Sequence, residues 1–319
     1  MNKKPHIRNI ARLLVGMLLL CSCVKENMEQ CPEEIRVYFT FSSQAGGGAI
    51  NPADVDRMHL YVFDRNGYYV GEYRDEQIAN FSTSYYMDCS DLLPGKYRLI
   101  AWGGQDARNY NTTPEPFVKG KTTFDQALLE LEHPANTVTF LHHIFHSDLA
   151  ATVVSDQRRQ HFTMPLAQIS NTINIRTVGL PASANTYRFN IADNNCTYKF
   201  DTSFAPDPDA TFTYTSTCSK DAESQLFASL NVLRLAAGRH TPQLEIHNQT
   251  ADKPLYPTGT QSGDLIGLIL SAYPQNNFDT THTYDIVLTF KGDGSTGFTV
   301  SVSINGWEVH EQNGEVLID

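Results

Sequence analysis

The chain has 319 residues, and its 24 Lys and Arg against 35 Asp and Glu give a formal net charge of −11 at pH 7. This acidity argues against binding to nucleic acid, whose phosphates would repel the protein, and it suits a solvated surface. The 15 Tyr and 17 Phe residues favour β-structure over a helix bundle. The length is enough for two domains of about 100–200 residues each.

The first 22 residues have the charge and hydrophobicity of a secretory leader. Four basic residues and no acidic residue stand before the apolar run from Leu13 to Leu20. This run is far shorter than the ~20 residues that cross a bilayer as a helix, and a basic start followed by a short apolar run describes a secretory signal. We therefore predict that residues 1–22 are a signal peptide, so the mature chain has a net charge of −15, from 20 Lys and Arg against 35 Asp and Glu.

The segment Leu20-Cys21-Ser22-Cys23 resembles the lipobox of bacterial lipoproteins, in which the cysteine thiol is acylated and becomes residue one. A diacyl or triacyl cysteine supplies the two or more chains that stable anchoring requires. The alternative is an ordinary signal peptide cleaved elsewhere, with Cys23 left as a thiol or in a disulfide. Residues 23–32 are predicted to form a tether. Its acidic residues resemble a surface-export signal of Bacteroidales lipoproteins, and a plain charged linker explains them as well.

Four cysteines remain after the leader and the lipidation site are set aside: Cys31, Cys89, Cys196 and Cys218. An even number in an oxidising compartment suggests disulfides. We predict one bond within each domain, Cys31–Cys89 and Cys196–Cys218, with four buried thiols as the alternative. Their spacing matches no zinc site.

Alternating apolar residues and turn signals predict strands throughout the first half of the chain. Met58–Phe63 and Tyr68–Val70 flank Asn66-Gly67, which predicts a hairpin with a type I′ turn. Phe124–Glu132 is predicted to be helical or irregular. Further strands are predicted at Ile35–Phe41, Ser82–Met87 and Tyr97–Gly104, and an apolar region at Val138–Val154.

A polar segment at Gln157–Gln160 is the predicted boundary between an N-terminal domain, residues 33–158, and a C-terminal domain, residues 159–319. Alternating apolar residues and turn signals continue after this segment. Asp264–Leu270 is predicted to be a short helix or a strand, because periodicity cannot decide on so few residues. Strands are predicted within Leu166–Val178 and at Tyr187–Ile191, Phe212–Thr217, Leu226–Leu235, Leu244–His247, Tyr284–Phe290 and Phe298–Val309, with a loop at Pro206–Asp209.

No pattern in the sequence argues for catalysis or for a cofactor. His142, His143 and His146 invite a metal site, but no Glu stands between them as in zinc proteases, and we expect structural histidines. Trp102 and Trp307 lie in apolar strands and are expected in the core rather than on a sugar-binding surface.

Four segments in this order resemble the FimB-type fimbrial family, outer-membrane lipoproteins of Bacteroidales that anchor fimbriae and limit their length. They are the lipobox, Leu60–Asp64 with its Asn66-Gly67 turn, Leu99–Gly104 and Ile304–Trp307. The resemblance implies an all-β chain with two tandem transthyretin-like β-sandwich domains and Cys23 as the lipid site. It offers no catalytic residues.

The function expected from this resemblance is that of a lipid-anchored fimbrial subunit at the outer membrane. The partners expected are fimbrial shaft subunits, joined by strand addition. The C-terminal segment from Glu308 to Asp319 is the candidate contact, and the alternative is that it simply closes the second sandwich. The alternatives are a glycan-binding surface lipoprotein, which should show exposed aromatic platforms, and a secreted hydrolase, which should show a cleft with convergent titratable groups.

Overall fold

The computed structural model describes residues 34–41, 54–106, 108–180, 187–205, 211–220, 225–259, 261–292 and 299–309. These residues form mainly strands, which confirms the predicted all-β class. Cys23, Cys31, the predicted loop at Pro206–Asp209 and the last residues, 310–319, lie outside the described residues.

In the first half of the chain, the strands predicted at Ile35–Phe41, Met58–Phe63, Tyr68–Val70 and Tyr97–Gly104 lie close to observed strands, but those at Tyr110–Thr113 and Arg159–Gln168 were not predicted. Ser82–Met87 is mostly loop, with only a three-residue strand at its end, and Phe124–Glu132 is a 3₁₀ turn, Phe124–Gln126, followed by a strand. The described strands are β1 (Glu34–Phe41), β2 (Met58–Asp64), β3 (Tyr69–Asp75), β4 (Tyr86–Asp88), β5 (Gly95–Gly103), β6 (Tyr110–Thr113), β7 (Leu128–Leu131), β8 (Thr137–Val138), β9 (Phe145–Val153) and β10 (Arg159–Gln168).

The second half adds further strands and a helix, α1. The helix covers most of Asp264–Leu270, the segment predicted to be either a helix or a strand. Its buried residues have the spacing of one helix face; they are Leu265, Ile266, Leu268 and Ile269. The elements are β11 (Ser170–Val178), β12 (Tyr187–Asp193), β13 (Thr197–Lys199), β14 (Phe212–Thr217), β15 (Ser219–Lys220), β16 (Leu226–Leu233), β17 (Gln243–Asn248), β18 (Lys253–Tyr256), α1 (Leu265–Ala272), β19 (Thr283–Lys291), β20 (Thr299–Ile304) and β21 (Trp307–Val309).

The first sandwich is one sheet that folds over at β10. The strand order is β3-β2-β5-β9-β10-β1-β4. β10 pairs with β9 only at its last two residues, Ala167 and Gln168, but pairs in parallel with β1 from Arg159 to Leu166. The sheet therefore bends at β10 into two layers, β4-β1-β10 and β3-β2-β5-β9. The inward side chains of both layers form one buried cluster.

Strands β2 and β5 are buried on both faces. Met58, Leu60 and Val62 belong to the core of the first sandwich. Tyr61 and Phe63 point the other way and belong to the larger core of the second half. A strand covered on both sides needs an uninterrupted apolar run rather than alternation, which explains the composition of this segment.

The second sandwich packs the sheet β18-β17-β12-β14-β8 against the sheet β15-β16-β11-β19-β20-β21. A smaller sheet, β13-β7-β6, joins the halves, since β13 pairs with β7 at Thr197–Lys199 and Leu128–Glu130. β8, from the first half, pairs with β14. The outer face of the first sandwich and the second half therefore share one core, which is distinct from the core enclosed within the first sandwich.

The predicted domain boundary at residues 158 and 159 stays a prediction. β10 begins at Arg159 and lies in the first sheet. We propose a later position for the boundary, near Ile169, because it leaves β10 with the sheet to which it is paired.

The predicted hairpin of β2 and β3 is confirmed, but its type I′ turn is wrong. Gly67 has a positive φ of 80°, and Asn66 does not. The Asp64 carboxylate accepts hydrogen bonds from the backbone N–H groups of Asn66 and Tyr68 at 2.8 and 2.9 Å. This bonding stabilises a turn with one left-handed residue instead of two.

A type I′ turn occurs instead near the end of the described chain. Asn305 and Gly306 have φ values of 49° and 87°, and Ile304 pairs directly with Trp307. The predicted single strand Phe298–Val309 is therefore a hairpin of β20 and β21 with a two-residue turn.

The predicted Cys196–Cys218 disulfide is absent from the structure, in which both residues are buried thiols. Cys196 follows the end of β12 that pairs with Phe212, whereas the Cys218 thiol lies 3.8 Å from the carbonyl oxygen of Tyr187, at the start of β12. About six residues of strand, or roughly 20 Å, separate these ends. A disulfide needs Cα atoms within about 7 Å, so this fold forbids the bond.

Candidate interaction surfaces

The three candidate metal ligands lie in separate environments. His146 Nε2 is 2.9 Å from the carbonyl oxygen of Phe200, and His143 Nδ1 is 3.1 Å from Ser170 Oγ. His142 is near the surface, 3.9 Å from Asp106. Burial lowers the pKa of His146 to about 4 and also lowers the pKa of His143, so both are neutral at pH 7. Among the described residues no group of three or more His, Cys, Asp or Glu side chains is arranged to hold a metal ion.

A buried cluster of charges lies beside β2 and β3, and sequence analysis missed it. His59 Nδ1 and Nε2 lie 3.0 Å from carboxylate oxygens of Glu72 and Glu76, respectively. Arg74 pairs with Glu72. Burial by itself would raise the pKa of Glu72, but hydrogen bonds from His59 and Arg74 outweigh burial and lower it. The available signal was His59 within the otherwise apolar strand β2, together with Glu72 and Arg74 at alternate positions of the adjacent strand β3.

The same cluster continues to Asp106. The hydrogen bond from Arg108 is the largest effect on this carboxyl and, with Arg57, holds its pKa at about 2. Arg57 lies 3.3 Å from Asp106 and 2.9 Å from Asp56. Each carboxylate has a cationic neighbour, so the cluster is a structural ion-pair network rather than a set of acid and base groups poised for catalysis.

The two tryptophans lie in opposite environments. Trp102 is fully buried, as expected, and packs against His146 and Phe200 at ring distances of 4.7 and 5.8 Å. The expectation for Trp307 is wrong, because its side chain is 63% exposed. Trp307 follows the tight turn and lies on an edge strand with no strand on its outer side among the described residues.

The edge formed by β21 is short and carries an exposed tryptophan. β21 pairs with β20 at only three positions, from Trp307 to Val309. The Trp307 ring stands edge-on to Tyr273 at 6.1 Å. An exposed aromatic residue beside unpaired main-chain groups is suited to contact with another protein.

Cys89 remains a candidate for the other predicted disulfide. It is a buried thiol whose pKa burial raises to about 12. Its backbone N–H donates to the carbonyl oxygen of Ile35 at 2.8 Å. Cys31 is four residues before Ile35, within about 14 Å of extended chain. The Cys31–Cys89 bond stays a prediction.

The architecture defines a tandem β-sandwich protein with open sheet edges, and none of its described helices is long and apolar enough to cross a membrane. The chain belongs to the family of fimbrillin-A associated anchor proteins Mfa1 and Mfa2, whose family model matches residues 28–313. This is a family of fimbrial anchor proteins and not a family of enzymes.

Individual relatives agree with this family. The minor fimbrium anchoring subunit Mfa2 of Porphyromonas gingivalis is 26% identical over 344 residues, which cover 99% of this chain and 100% of the relative. The solved structure of the fimbrial anchor protein Mfa2 from Porphyromonas gingivalis has a TM-score of 0.68 at 23% identity, over 88% of this chain and 100% of that one. The solved structure of a Bacteroides thetaiotaomicron protein proposed to bind polysaccharide has a TM-score of 0.70 at 20% identity. The match covers 88% of this chain and 98% of that protein.

Proposed function

We propose that this chain is the lipid-anchored subunit at the base of a fimbria, held in the outer membrane through Cys23. The observation that carries the proposal is family membership over nearly the whole chain. The full-length relative from Porphyromonas gingivalis is named as an anchoring subunit. The Leu20-Cys21-Ser22-Cys23 segment supports the lipid attachment.

The position of β1 supports a close attachment to the membrane. β1 begins at Glu34 and lies between β10 and β4, inside its sheet. The ten residues from Val24 to Glu33 span at most about 35 Å. A lipid on Cys23 would hold the first sandwich within this distance of the membrane surface.

Strand addition to a shaft subunit is proposed at the C-terminal edge. β21 is the edge of its sheet, and Trp307 is exposed on it. Main-chain hydrogen bonds would supply affinity, and alternate side chains would supply specificity. The first strand is a poorer candidate, because β1 is paired on both sides and tethered.

Glycan binding is the weaker alternative. The similar Bacteroides protein is too distant in sequence to indicate more than the fold. The largest fully buried side chains are all aromatic, from Trp102 to Phe212. Most of the aromatic content therefore serves the cores, which favours a structural role.

The test is substitution of Cys23 in the producing strain. Cys23→Ala should leave an unacylated protein and release fimbriae into the medium, whereas Cys21→Ala, a matched change inside the leader, should not. Mass spectrometry of the mature N-terminus and the partition of fimbriae between cells and medium are the measurements. Fimbriae that stay attached in the Cys23→Ala strain would contradict the proposal.

Deleting Glu315–Asp319 tests the C-terminal contact separately. Lipidation and folding should persist while fimbriae detach. Attached fimbriae of normal length would rule out a contact through Glu315–Asp319 and leave the lipid anchor unaffected.

A further inference from the structure

Four connecting segments meet at the end of the first sandwich where β1 begins. Glu34, the first residue of β1, pairs with Arg159, the first residue of β10. β5 begins beside the last residues of both β2 and β9. A further segment lies beside the turn between β2 and β3, because Tyr69 N–H donates to the carbonyl oxygen of Thr122 at 2.8 Å. We call this surface the tether end; it consists of residues 64–68, 89–96, 118–125 and 154–159.

Three large apolar side chains are exposed at the tether end. Leu93 is 74% exposed, Val118 44% and Tyr68 41%. The Leu93 carbonyl oxygen accepts a hydrogen bond from the Tyr97 hydroxyl at 2.8 Å, which fixes this segment to β5. Clustered exposed apolar side chains mark a contact with a protein or a membrane, and tyrosine is enriched where a protein meets the headgroups of a bilayer.

The two ends of the first sandwich differ in charge. The tether end carries six Lys and Arg against four Asp. The opposite end, formed by residues 54–57, 76–85 and 104–109, carries two Arg against four acidic residues. Glu34, beside the tether end, is held by His161 at 3.1 Å and by Arg159 at 3.8 Å. The whole chain has a net charge of −11, so the tether end departs from its acidity, and such a surface is attracted to anionic headgroups.

Two cations of the tether end are available to a ligand. Arg65 and Lys96 are exposed beside a cleft of about 380 Å³, and among the described residues their side chains have no ion pair or hydrogen bond. The third cation of the cleft, Arg98, is paired with a carboxylate of β9. The Asp64 carboxylate is bonded to the backbone of the turn, and Asp125 is the other acidic residue of the cleft. Arg65 and Lys96 can therefore contact an anionic group such as a phosphate.

We propose that the tether end lies directly on the membrane, and that its partner there is an anionic phospholipid surface. Leu93, Val118 and Tyr68 enter the headgroup region, as the apolar side chains of interfacial proteins do. Arg65 and Lys96 contact the headgroup phosphates. This inference rests on the proposed lipid attachment through Cys23, to which it adds a second contact that sets the orientation of the subunit.

The position of the tether makes this contact effective. A lipid on Cys23 is joined to β1 by ten residues that span at most about 35 Å. At this distance the effective concentration of headgroups is high, so a contact too weak to hold a free protein is still occupied. β10 leads away from the tether end for 10 residues, about 30 Å, and the second half of the chain follows it. The orientation therefore directs the second half away from the membrane.

The experiment uses the full lipidated protein, reconstituted into vesicles of phosphatidylcholine with about 30% phosphatidylglycerol. The environment-sensitive fluorophore NBD is attached at Leu93→Cys or Val118→Cys, with Phe140→Cys as the matched control. Phe140 is 62% exposed and lies beyond the opposite end of β5, since its carbonyl oxygen accepts from Asn109 at 3.0 Å. The wild-type protein, treated in the same way, gives the background from native thiols.

The probe reports whether each position lies in lipid or in water. At positions 93 and 118 the NBD emission should shift to shorter wavelength and be quenched by a nitroxide-labelled lipid. At position 140 the emission should be that of a probe in water. Quenching at position 93 should exceed quenching at position 140 by about fivefold or more, because interfacial side chains lie within the headgroup region.

A pair of charge reversals tests the two cations. Arg65→Glu with Lys96→Glu should lower the ratio of docked to undocked protein by about tenfold or more, since each Lys or Arg near an anionic surface strengthens attachment. Quenching at position 93 should fall accordingly. Arg239→Glu with Lys253→Glu makes the same change of charge at exposed residues of the second half and should leave it unchanged. The melting temperatures of both pairs should stay within a few degrees of the parent, which separates loss of docking from loss of folding.

The outcomes separate this proposal from the proposed function. Quenching at positions 93 and 118 no higher than at position 140, on vesicles that retain the lipidated protein, would overturn the membrane contact alone. Equal quenching in the two charge-reversal pairs would show that Arg65 and Lys96 do not bind headgroups, and would overturn it as well. A mature protein without an acyl chain on Cys23 would contradict the proposed function instead.

Discussion

The Nε2 atom of His146 lies 2.9 Å from the carbonyl oxygen of Phe200, and this contact joins the two halves of the chain. His146 belongs to β9 in the first sandwich, and Phe200 follows β13 in the second half. Neutral His146 donates its Nε2 proton to the carbonyl, and its ring packs against Trp102. The junction between the halves is therefore a buried core and not a linker.

Stability should fall in acid because of this junction. Burial lowers the pKa of His146 from 6.5 to about 4, and burial also lowers the pKa values of His143 and His282. Between pH 6.5 and 4 the unfolded chain binds more protons than the folded one, so the free energy of unfolding falls as the pH drops. His146 alone contributes up to about 3 kcal/mol.

Urea unfolding at pH 7 and pH 4.5 measures this effect. His146→Gln is the control, because Gln keeps an N–H donor for Phe200 but does not titrate. The pH dependence should be smaller in this variant. An identical dependence in both proteins would show that His146 is not responsible.

Gly104 should tolerate no side chain. Its φ is +76°, and an added Cβ would lie 2.1 Å from the carbonyl oxygen of His143. Gly104→Ala should lower the free energy of unfolding by about 3 kcal/mol or more. Gly120 also has a positive φ, +69°, but open space around it, so Gly120→Ala should cost only about 1–2 kcal/mol. Equal losses, measured by urea unfolding, would contradict the close approach at Gly104.

The two sandwiches should unfold together. Trp102 lies in the core they share. In a Trp307→Phe variant, Trp102 is the remaining tryptophan, and its fluorescence should change at the same urea concentration as the far-ultraviolet circular dichroism. Trp102→Ala should destabilise the whole chain by about 3–5 kcal/mol. Two separated transitions would show that the halves fold independently.

The pairing of Cys89 can be decided by peptide mapping without reductant. We expect a Cys31–Cys89 bond, because Cys89 lies opposite Ile35 at the start of β1. The bond should stabilise the first sandwich by about 3–4 kcal/mol. Recovery of Cys89 as a thiol that reacts only after unfolding would refute it.

The sequence by itself determined where most strands lie and which class of fold they build. Alternation along a strand is local, so Ile35–Phe41 and Phe212–Thr217 are recognisable without knowledge of their neighbours. The predicted leader, the predicted lipid site at Cys23 and the order of the family segments are also local features. These pointed to a fimbrial anchor before any strand pairing was known.

The tertiary structure decided what depends on pairing between distant residues. The same dipeptide forms different turns at Asn66-Gly67 and Asn305-Gly306, because the Asp64 carboxylate bonds to the backbone of the first turn only. Trp102 and Trp307 lie in similar apolar segments, yet one strand is covered on both faces and the other forms an edge. The burial of a side chain depends on which strands lie alongside its own strand. The spacing of strands within the sequence does not determine those neighbours.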